Sequence, residues 1–456
     1  MDKESNTEIQ RAPSPSDGQV LDHVAMHQRN MAKVNHAIEK IGFGKYQWKL
    51  FATWPLTGAL SCGILVDIIG RRLVWQTSLI MVTVFTLICA GSPNFPALCV
   101  FVALQAVGAV AIDMTVFVEA LPKAKDYMIT ALPLWWGVGS TLGGVLAWPL
   151  ITFYSCPQRT TPDTCDKSDN MGWRYQYLLV GGISLIAALI RVFLMRMEES
   201  PKWLVSQGKY EKAVYTLHEM AHINGHDLSL SVDEFYIVGS GETLETSSLA
   251  GRLRGLFATK KQGYSTAGVI LLWMCIGVAY PVYSLYLPIY LENNGAKIGN
   301  GSTFQTYRDY TISSTVGIFG PLLSTYMVNI EILGRRRSMS LTALCAAAFS
   351  GGFTAVRNEA SNLGFSCMIS FWQNAFYAIL YPYTPEVMPT AFRGTGCGVA
   401  LAFGRIASLS SPFIAAFGDL TTTTPIWVLV GLYGVIAAVA ACLPFEPKHF
   451  SEEDRH

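Results

Sequence analysis

The sequence predicts an all-α polytopic membrane protein made of two pseudo-symmetric helical bundles, with about eleven spans. Three observations predict it. Apolar stretches of roughly 20 residues, the length a helix needs to cross a hydrocarbon core of about 30 Å, recur along nearly the whole chain. The composition is 51% hydrophobic and 14% charged, with a mean hydropathy of +0.33, whereas a soluble domain carries about 25% charge. Finally, three short signatures of the first half return in the second half, in the same order.

Asp67-Ile68-Ile69-Gly70-Arg71-Arg72 is answered by Glu331-Ile332-Leu333-Gly334-Arg335-Arg336. Glu119-Ala120-Leu121-Pro122 is answered by Glu386-Val387-Met388-Pro389, and Glu199-Ser200-Pro201-Lys202 by Glu446-Pro447-Lys448. The first two pairs stand about 265 residues apart and the third slightly less. Each copy lies at the edge of an apolar run. Repetition at this scale marks chains built from two homologous bundles.

In chain order, residues 1–45 are polar, read first as a disordered stretch and then as a weak amphipathic helix through 20–40. They lack the apolar core of a cleavable signal peptide. Residues 46–195 form the first membrane half, with span centres near 58, 82, 106, 141 and 183. Residues 196–262 form a linker with a surface helix over 209–223 and a flexible Ser/Thr/Gly/Glu-rich loop at 240–250. Residues 263–445 form the second half, with centres near 276, 319, 346, 373, 406 and 434, and 446–456 are a polar tail.

Charge sets the sidedness. Arg71 and Arg72, Lys123 and Lys125, Arg335 to Arg337, Arg393 and the linker's many Lys and Arg all fall on one side. The positive-inside rule places that side, with the linker and tail, in the cytoplasm. The opposite side then carries Cys156 and Cys165, spaced for a small-loop disulfide, and the sequon Asn300-Gly301-Ser302 as a glycosylation site. The remaining eight cysteines lie in apolar runs, as packing residues. The odd span count has a local source. Two spans precede Glu331 but only one precedes Asp67, so the first helix of the pattern is missing and Gly42 to Phe51 lead directly into the second.

Gly63 to Arg72 resemble the loop signature of the major facilitator superfamily. Glu199-Ser200-Pro201-Lys202-Trp203-Leu204 is similar to the sugar-porter segment that closes the first half. Tyr381-Pro382-Tyr383-Thr384-Pro385-Glu386-Val387-Met388-Pro389-Thr390 with Arg393-Gly394-Thr395-Gly396 resembles the branch holding synaptic vesicle glycoprotein two and its fungal relatives. The resemblance covers about residues 42–447. It implies a secondary transporter of a small organic solute working by alternating access, multi-pass in the plasma membrane and monomeric. Two departures argue against a hexose: Leu271 to Gly277 replace the paired glutamines of sugar porters, and Gln105 stands where they carry arginine.

Residue chemistry supplies the candidate site. Asp67, Gly70, Arg71, Arg72, Glu331, Gly334, Arg335, Glu119, Glu386 and Arg393 sit where helices leave the membrane, and the duplicated acid–glycine–arginine pattern reads as a gating latch in which a carboxylate bonds a helix end and its cationic loop. Ionisable groups at depth are costly and commonly functional. Asp113 lies mid-span with Gln105 two turns before it on the same face, so it is either a proton-coupling carboxylate or a structural hydrogen-bond partner. Arg405 is a mid-span cation that either neutralises an anionic solute or pairs with Asp113, whereas Arg191, nearer a span end, is expected to snorkel.

Tyr280, Tyr283, Tyr286 and Tyr290 share a sector of one helix interrupted by Pro281 and Pro288. Asn374, Tyr377 and Tyr381, with Gln373 beside them, form a second stripe. The stripes are either helix packing or, as the resemblance implies, cavity lining; with Gln105 they are the substrate-binding candidates. Trp135 and Trp136, just inside the fourth run, belong either with these cavity candidates or to an interfacial belt. No phosphate-binding Gly-x-x-x-x-Gly-Lys run, metal cluster or nucleophile–base set is present, so no cofactor, metal or enzyme activity is expected. A net charge of +1 gives no sign of nucleic-acid binding. The expected partners are the lipid bilayer, a small solute and protons. A transport-inactive receptor or sensor, or a truncated carrier, is the other reading.

Overall fold

A computed structural model describes residues 17–42, 44–47, 71–108, 117, 120–156, 165–166, 168–194, 198–235, 253–293, 303–356, 358–388, 393–417 and 424–446. Its main helices are α1 (Asp17–Ile41), α2 (Arg71–Ala90), α3 (Phe95–Gly108), α4 (Leu134–Tyr154), α5 (Gly172–Leu189), α6 (Pro201–Ser206), α7 (Tyr210–Asn224) and α8 (Lys260–Asn293). The second half continues with α9 (Thr303–Gly317), α10 (Phe319–Asn329), α11 (Gly334–Gly352), α12 (Glu359–Val387), α13 (Arg393–Ser408), α14 (Ser410–Phe417) and α15 (Thr424–Cys442). Ten expected span centres fall in these helices; the one near residue 58 lies outside the described residues.

Among the described residues, five helical stretches are long and apolar enough to cross a membrane: Tyr127–Tyr154, Gly172–Phe193, Lys260–Tyr283, Gly334–Ala355 and Glu359–Val387. Outward faces are apolar, as on α5, where Leu178, Leu179, Ile186 and Leu189 are exposed. On α2, Ile80, Val84 and Ile88 repeat every four residues and are all exposed. Such a stripe has no place in water but suits hydrocarbon, where apolar side chains lose nothing by facing out. Backbone polar groups are satisfied within each helix, as a lipid environment demands.

Two local expectations are corrected. Pro281 and Pro288 do not interrupt their helix, because α8 runs unbroken through both. Arg191 does not snorkel: it is 0% exposed. It sits in a π-helical turn, Ile190–Leu194, and one such turn re-aims the residues that follow relative to a regular helix. Cys156 and Cys165 are joined by a disulfide, with Cα atoms 6.2 Å apart. Asn300 and the 240–250 loop lie outside the described residues.

Away from the spans, α1 packs on the linker. Met31, Val34, Ile38 and Ile41 recur at helical spacing and are buried against Trp203, Leu204, Leu217 and Met220 of α6 and α7. Burying each such aliphatic side chain stabilises by about 1.5–3 kcal/mol. A polar joint then fixes the chain after α1. Asn224 Oδ1 accepts from the Tyr46 amide at 3.0 Å, and its Nδ2 donates to Gln47 Oε1 at 3.0 Å. Gln47, 0% exposed, donates in turn to the Ala120 carbonyl at 3.1 Å. Burial, with Glu198 and Glu199 nearby, pushes the Tyr46 hydroxyl pKa up, so that side chain stays neutral.

The joint ties the amino-terminal helix, the linker and the residue next to Glu119 into one unit. Asn224→Ala leaves partly buried partners unbonded, at a cost of about 1–3 kcal/mol. The expected outcome is earlier thermal release of this unit, read as protease cleavage within residues 17–47 at temperatures where the parent resists. Equal resistance of the variant and the parent contradicts the assignment.

Candidate functional site

The duplicated signatures meet in space. At the start of α11, Gly334 has a φ of 58°, in the left-handed region that favours glycine. A side chain there would also meet the Glu446 carboxylate, with a Cβ only 2.8 Å from it. That carboxylate accepts from the backbone amides of Arg335 and Arg336 at 2.7 and 3.1 Å. The first half repeats the arrangement, since the Arg72 amide donates to the two oxygens of Glu199 at 3.3 and 3.2 Å. Each carboxylate satisfies amides that a helix start leaves orphaned and sits at the positive end of the helix dipole.

In the second half the acid facing the helix start is therefore not the one in the loop signature. Glu331 is exposed, and the third signature supplies the carboxylate instead. Nothing in the loop's own sequence signals this, because the partners are 111 and 127 residues apart.

The Arg335 side chain turns inward. Its Nη2 meets Glu386 of the second signature at 2.5 Å, with the two side chains 4% and 12% exposed. Its Nη1 donates to Thr130 Oγ1 at 2.9 Å. Thr130 belongs to a 3-10 segment, Lys123–Ala131, from the first half of the chain. Arg335 thus joins all three signatures of the second half, Glu446 through its backbone amide and Glu386 through its guanidinium, and the guanidinium also reaches across to the first half. By contrast, Arg72 and Glu198, 3.6 Å apart and 45% and 31% exposed, form a surface pair of small energetic weight. Arg393 is half-buried at the start of α13. Asp67, Gly70 and Glu119, and the side chain of Arg71, lie outside the described residues.

Deeper in the protein, both tyrosine stripes meet two tryptophans. Trp136 of α4 and Trp273 of α8 each lie 4.6 Å from Tyr381, centroid to centroid, edge-on at 88° and 85°. Tyr377 stands 5.9 Å from Tyr381 and 6.1 Å from Tyr280, the latter again edge-on. These are favourable offset and T-shaped geometries. The indole of Trp273 donates to Thr384 at 2.9 Å, which fixes its plane. Trp136 is thus not a belt residue but packs on α12, joining first-half and second-half helices. A tryptophan near a span end reads alike in sequence whether it faces headgroups or a partner helix.

Tyr283 donates to the Ser366 carbonyl at 3.5 Å, one side of the cluster. Tyr286 and Tyr290 carry side chains outside the described residues. Asn374 is turned to Ser370, donating to its carbonyl at 2.9 Å, and Gln373 is buried with its amide donating to the Tyr433 hydroxyl at 2.8 Å. Gln105 does not join this group, because its amide donates to Thr86 of α2 at 2.9 Å.

Arg405 lies on α13 beside a tight helix crossing. A Cβ on Gly277 of α8 would collide with the Gly404 carbonyl, and one on Gly404 would stand 2.9 Å from the Trp273 carbonyl. The crossing places the backbone beside Arg405 against that of Trp273, at the level of the aromatic cluster. Asp113, its expected partner, lies outside the described residues.

The sequence model described as Major Facilitator Superfamily matches residues 50–412. MFS siderochrome iron transporter 1 of Ceriporiopsis subvermispora is 34% identical, over 96% of this chain and 95% of its own length. That alignment runs over 498 positions, more than the 456 residues of this chain, so the relative carries stretches with no counterpart here. Synaptic vesicle 2-related protein of Xenopus laevis is 26% identical, over 91% of this chain and 81% of its own length. The proton:xylose symporter XylE, solved with a bromodeoxyglucose, shares the fold at a TM-score of 0.54 and 15% identity, covering 87% of this chain and 83% of that one.

Removing one member of a buried ion pair strands the other, at a cost of about 3–5 kcal/mol. Glu386→Gln and Arg335→Gln are therefore expected to lower the melting temperature of the purified protein. Because both break the same contact, the double variant is expected to lose much less than the sum of the two. Additive losses contradict the pairing.

Proposed function

The chain belongs to the major facilitator superfamily and is a transmembrane solute transporter, and we propose that it is a proton-coupled secondary transporter moving a small organic solute by alternating access. The contact that carries this reading is Arg335, whose guanidinium spans from Glu386 to Thr130 and so ties the two halves at one end. A transporter of this kind needs such a tie to be breakable. In the proposed cycle the charged end is cytoplasmic, the Arg335 group closes it, and its parting opens the aromatic cluster to that side. The duplicated Glu199 and Glu446 contacts keep each helix start intact while the halves rock.

Within the same reading Asp113 carries the coupling proton, because a carboxylate at depth is neutral when loaded and charged when emptied. Arg405 responds to that charge, by pairing with Asp113 in one state and with an anionic solute in another. Tyr280, Tyr377 and Tyr381 line the solute site, and Gln105 serves helix packing. The protein acts as a monomer in the plasma membrane.

Two measurements test this. In vesicles, Asp113→Asn is expected to abolish gradient-driven accumulation of the transported solute and to spare exchange of that solute. Full accumulation by the variant removes the proton role. In sealed vesicles of known orientation, proteases are expected to reach the 198–235 segment and the chain after 446 from the same side. Opposite accessibility refutes the proposed sidedness. Binding of solute with neither accumulation nor exchange in the parent favours a receptor or sensor instead.

A further inference from the structure

The aromatic cluster and its surroundings limit the chemistry of what it holds. The argument rests on reading this cluster as the solute site. The polar groups best suited to bracket the hydroxyls of a sugar each already hold a bond within the protein. Gln373 is bonded to Tyr433, Asn374 to Ser370, and Thr384 accepts from Trp273, all at 2.8 to 2.9 Å. Gln105 is bonded to Thr86 at 2.9 Å. Rejecting or accepting a polyol depends on free donors and acceptors, because a buried hydroxyl left unbonded is costly.

What the site offers instead is aromatic surface at right angles. Tyr381 is wedged between the two indoles, and Tyr377 turns its edge-on neighbour Tyr280 toward open space, Tyr280 being 49% exposed. A flat ring entering here stacks on one wall and meets another edge-to-face, the two arrangements that aromatic quadrupoles favour. The second offering is a fixed positive charge. Arg405 lies about 18 Å along α13 from Arg393, near the middle of a span about 30 Å thick. It is exposed, and among the described residues no carboxylate reaches its guanidinium. A guanidinium is always charged and binds a carboxylate through two parallel hydrogen bonds.

We propose that the central site takes a flat aromatic monocarboxylate, its ring held by Trp136, Tyr280 and Tyr377, the rings of the cluster that are not fully buried, on the packed base of Trp273 and Tyr381, and its carboxylate against Arg405. Arg405 is then the residue that selects for the anion, and Trp136 the first-half residue that selects for the ring. A substrate touching both halves at once is also the kind whose binding couples to their relative movement.

Equilibrium binding of radiolabelled benzoate to the purified full-length protein in lipid nanodiscs tests this. The expected result is saturable binding displaced by unlabelled benzoate. Benzamide, which has the ring without the charge, cyclohexanecarboxylate, which has the charge without the aromatic ring, and glucose are each expected to compete at least tenfold less well. Arg405→Gln is expected to weaken benzoate binding at least tenfold, and Arg405→Lys to restore part of it. Trp136→Ala is expected to weaken benzoate more than cyclohexanecarboxylate. Absence of saturable binding, equal competition by benzamide or glucose, or parent-like affinity in Arg405→Gln overturns the proposal. Benzoate binding without flux in proteoliposomes would remove the transport reading alone. Flux of another solute by a protein that does not bind benzoate would remove this inference alone.

Discussion

A carboxylate set against the amide end of a helix is the contact on which the charged end of this protein depends. Glu446 holds the start of α11, and Glu199 does the same for α2. The helix start is a natural anion site, since its first amides have no partners inside the helix and the dipole favours negative charge there. Placing a remote carboxylate on it ties the end of each half back to the start of one of that half's earlier helices. It also aims the next side chain. With the amides of Arg335 and Arg336 anchored, the Arg335 guanidinium is directed inward to Glu386 and Thr130 rather than out to water.

This gives the three signatures a common physical reason. Glycine is needed where the backbone turns left-handed and a carboxylate comes close, arginine where a cation must span two helices, and the distant glutamate where the helix start needs an acceptor. Each residue type answers a different requirement of one cluster, and duplication of the bundle duplicates the requirements. The centre of the protein is built on another principle. There the helices are drawn together by glycine contacts, as at Gly277 and Gly404, and aromatic rings pack edge-on beside the crossing. Small residues that permit close approach and aromatic residues that fill the remaining space are how helices associate where no hydrophobic force separates lipid from protein.

The span pattern was legible in the sequence because hydrocarbon thickness imposes a length, and length needs no knowledge of partners. The tyrosine stripes were legible for a similar reason: helical periodicity places them on one face. What was not legible depended on contacts between distant segments. The role of Glu446 requires knowing that residue 446 returns to residue 335. Trp136 looks the same in sequence whether it meets headgroups or Tyr381. Arg191 was misread because a single π-helical turn changes which way it faces, and no residue in Ile190–Leu194 announces that turn. The polar side chains Gln105, Gln373 and Asn374 were sound candidates by type, and only their bonds to Thr86, Tyr433 and Ser370 show them occupied with packing.

The central claim is that the Glu446 carboxylate at the start of α11 aims Arg335 toward Thr130 of the first half, and that this arginine holds the two halves together at the charged end. Double electron–electron resonance between spin labels at Lys125 and Arg337 reads it most directly, with the exposed Cys99 and Cys442 replaced to prevent stray labelling. These two positions are exposed and lie on opposite sides of the contact made by Arg335 and Thr130. The account predicts a dominant short distance in the parent protein and a population shifted to longer distances in Glu446→Gln. Identical distance distributions in the two proteins would contradict it.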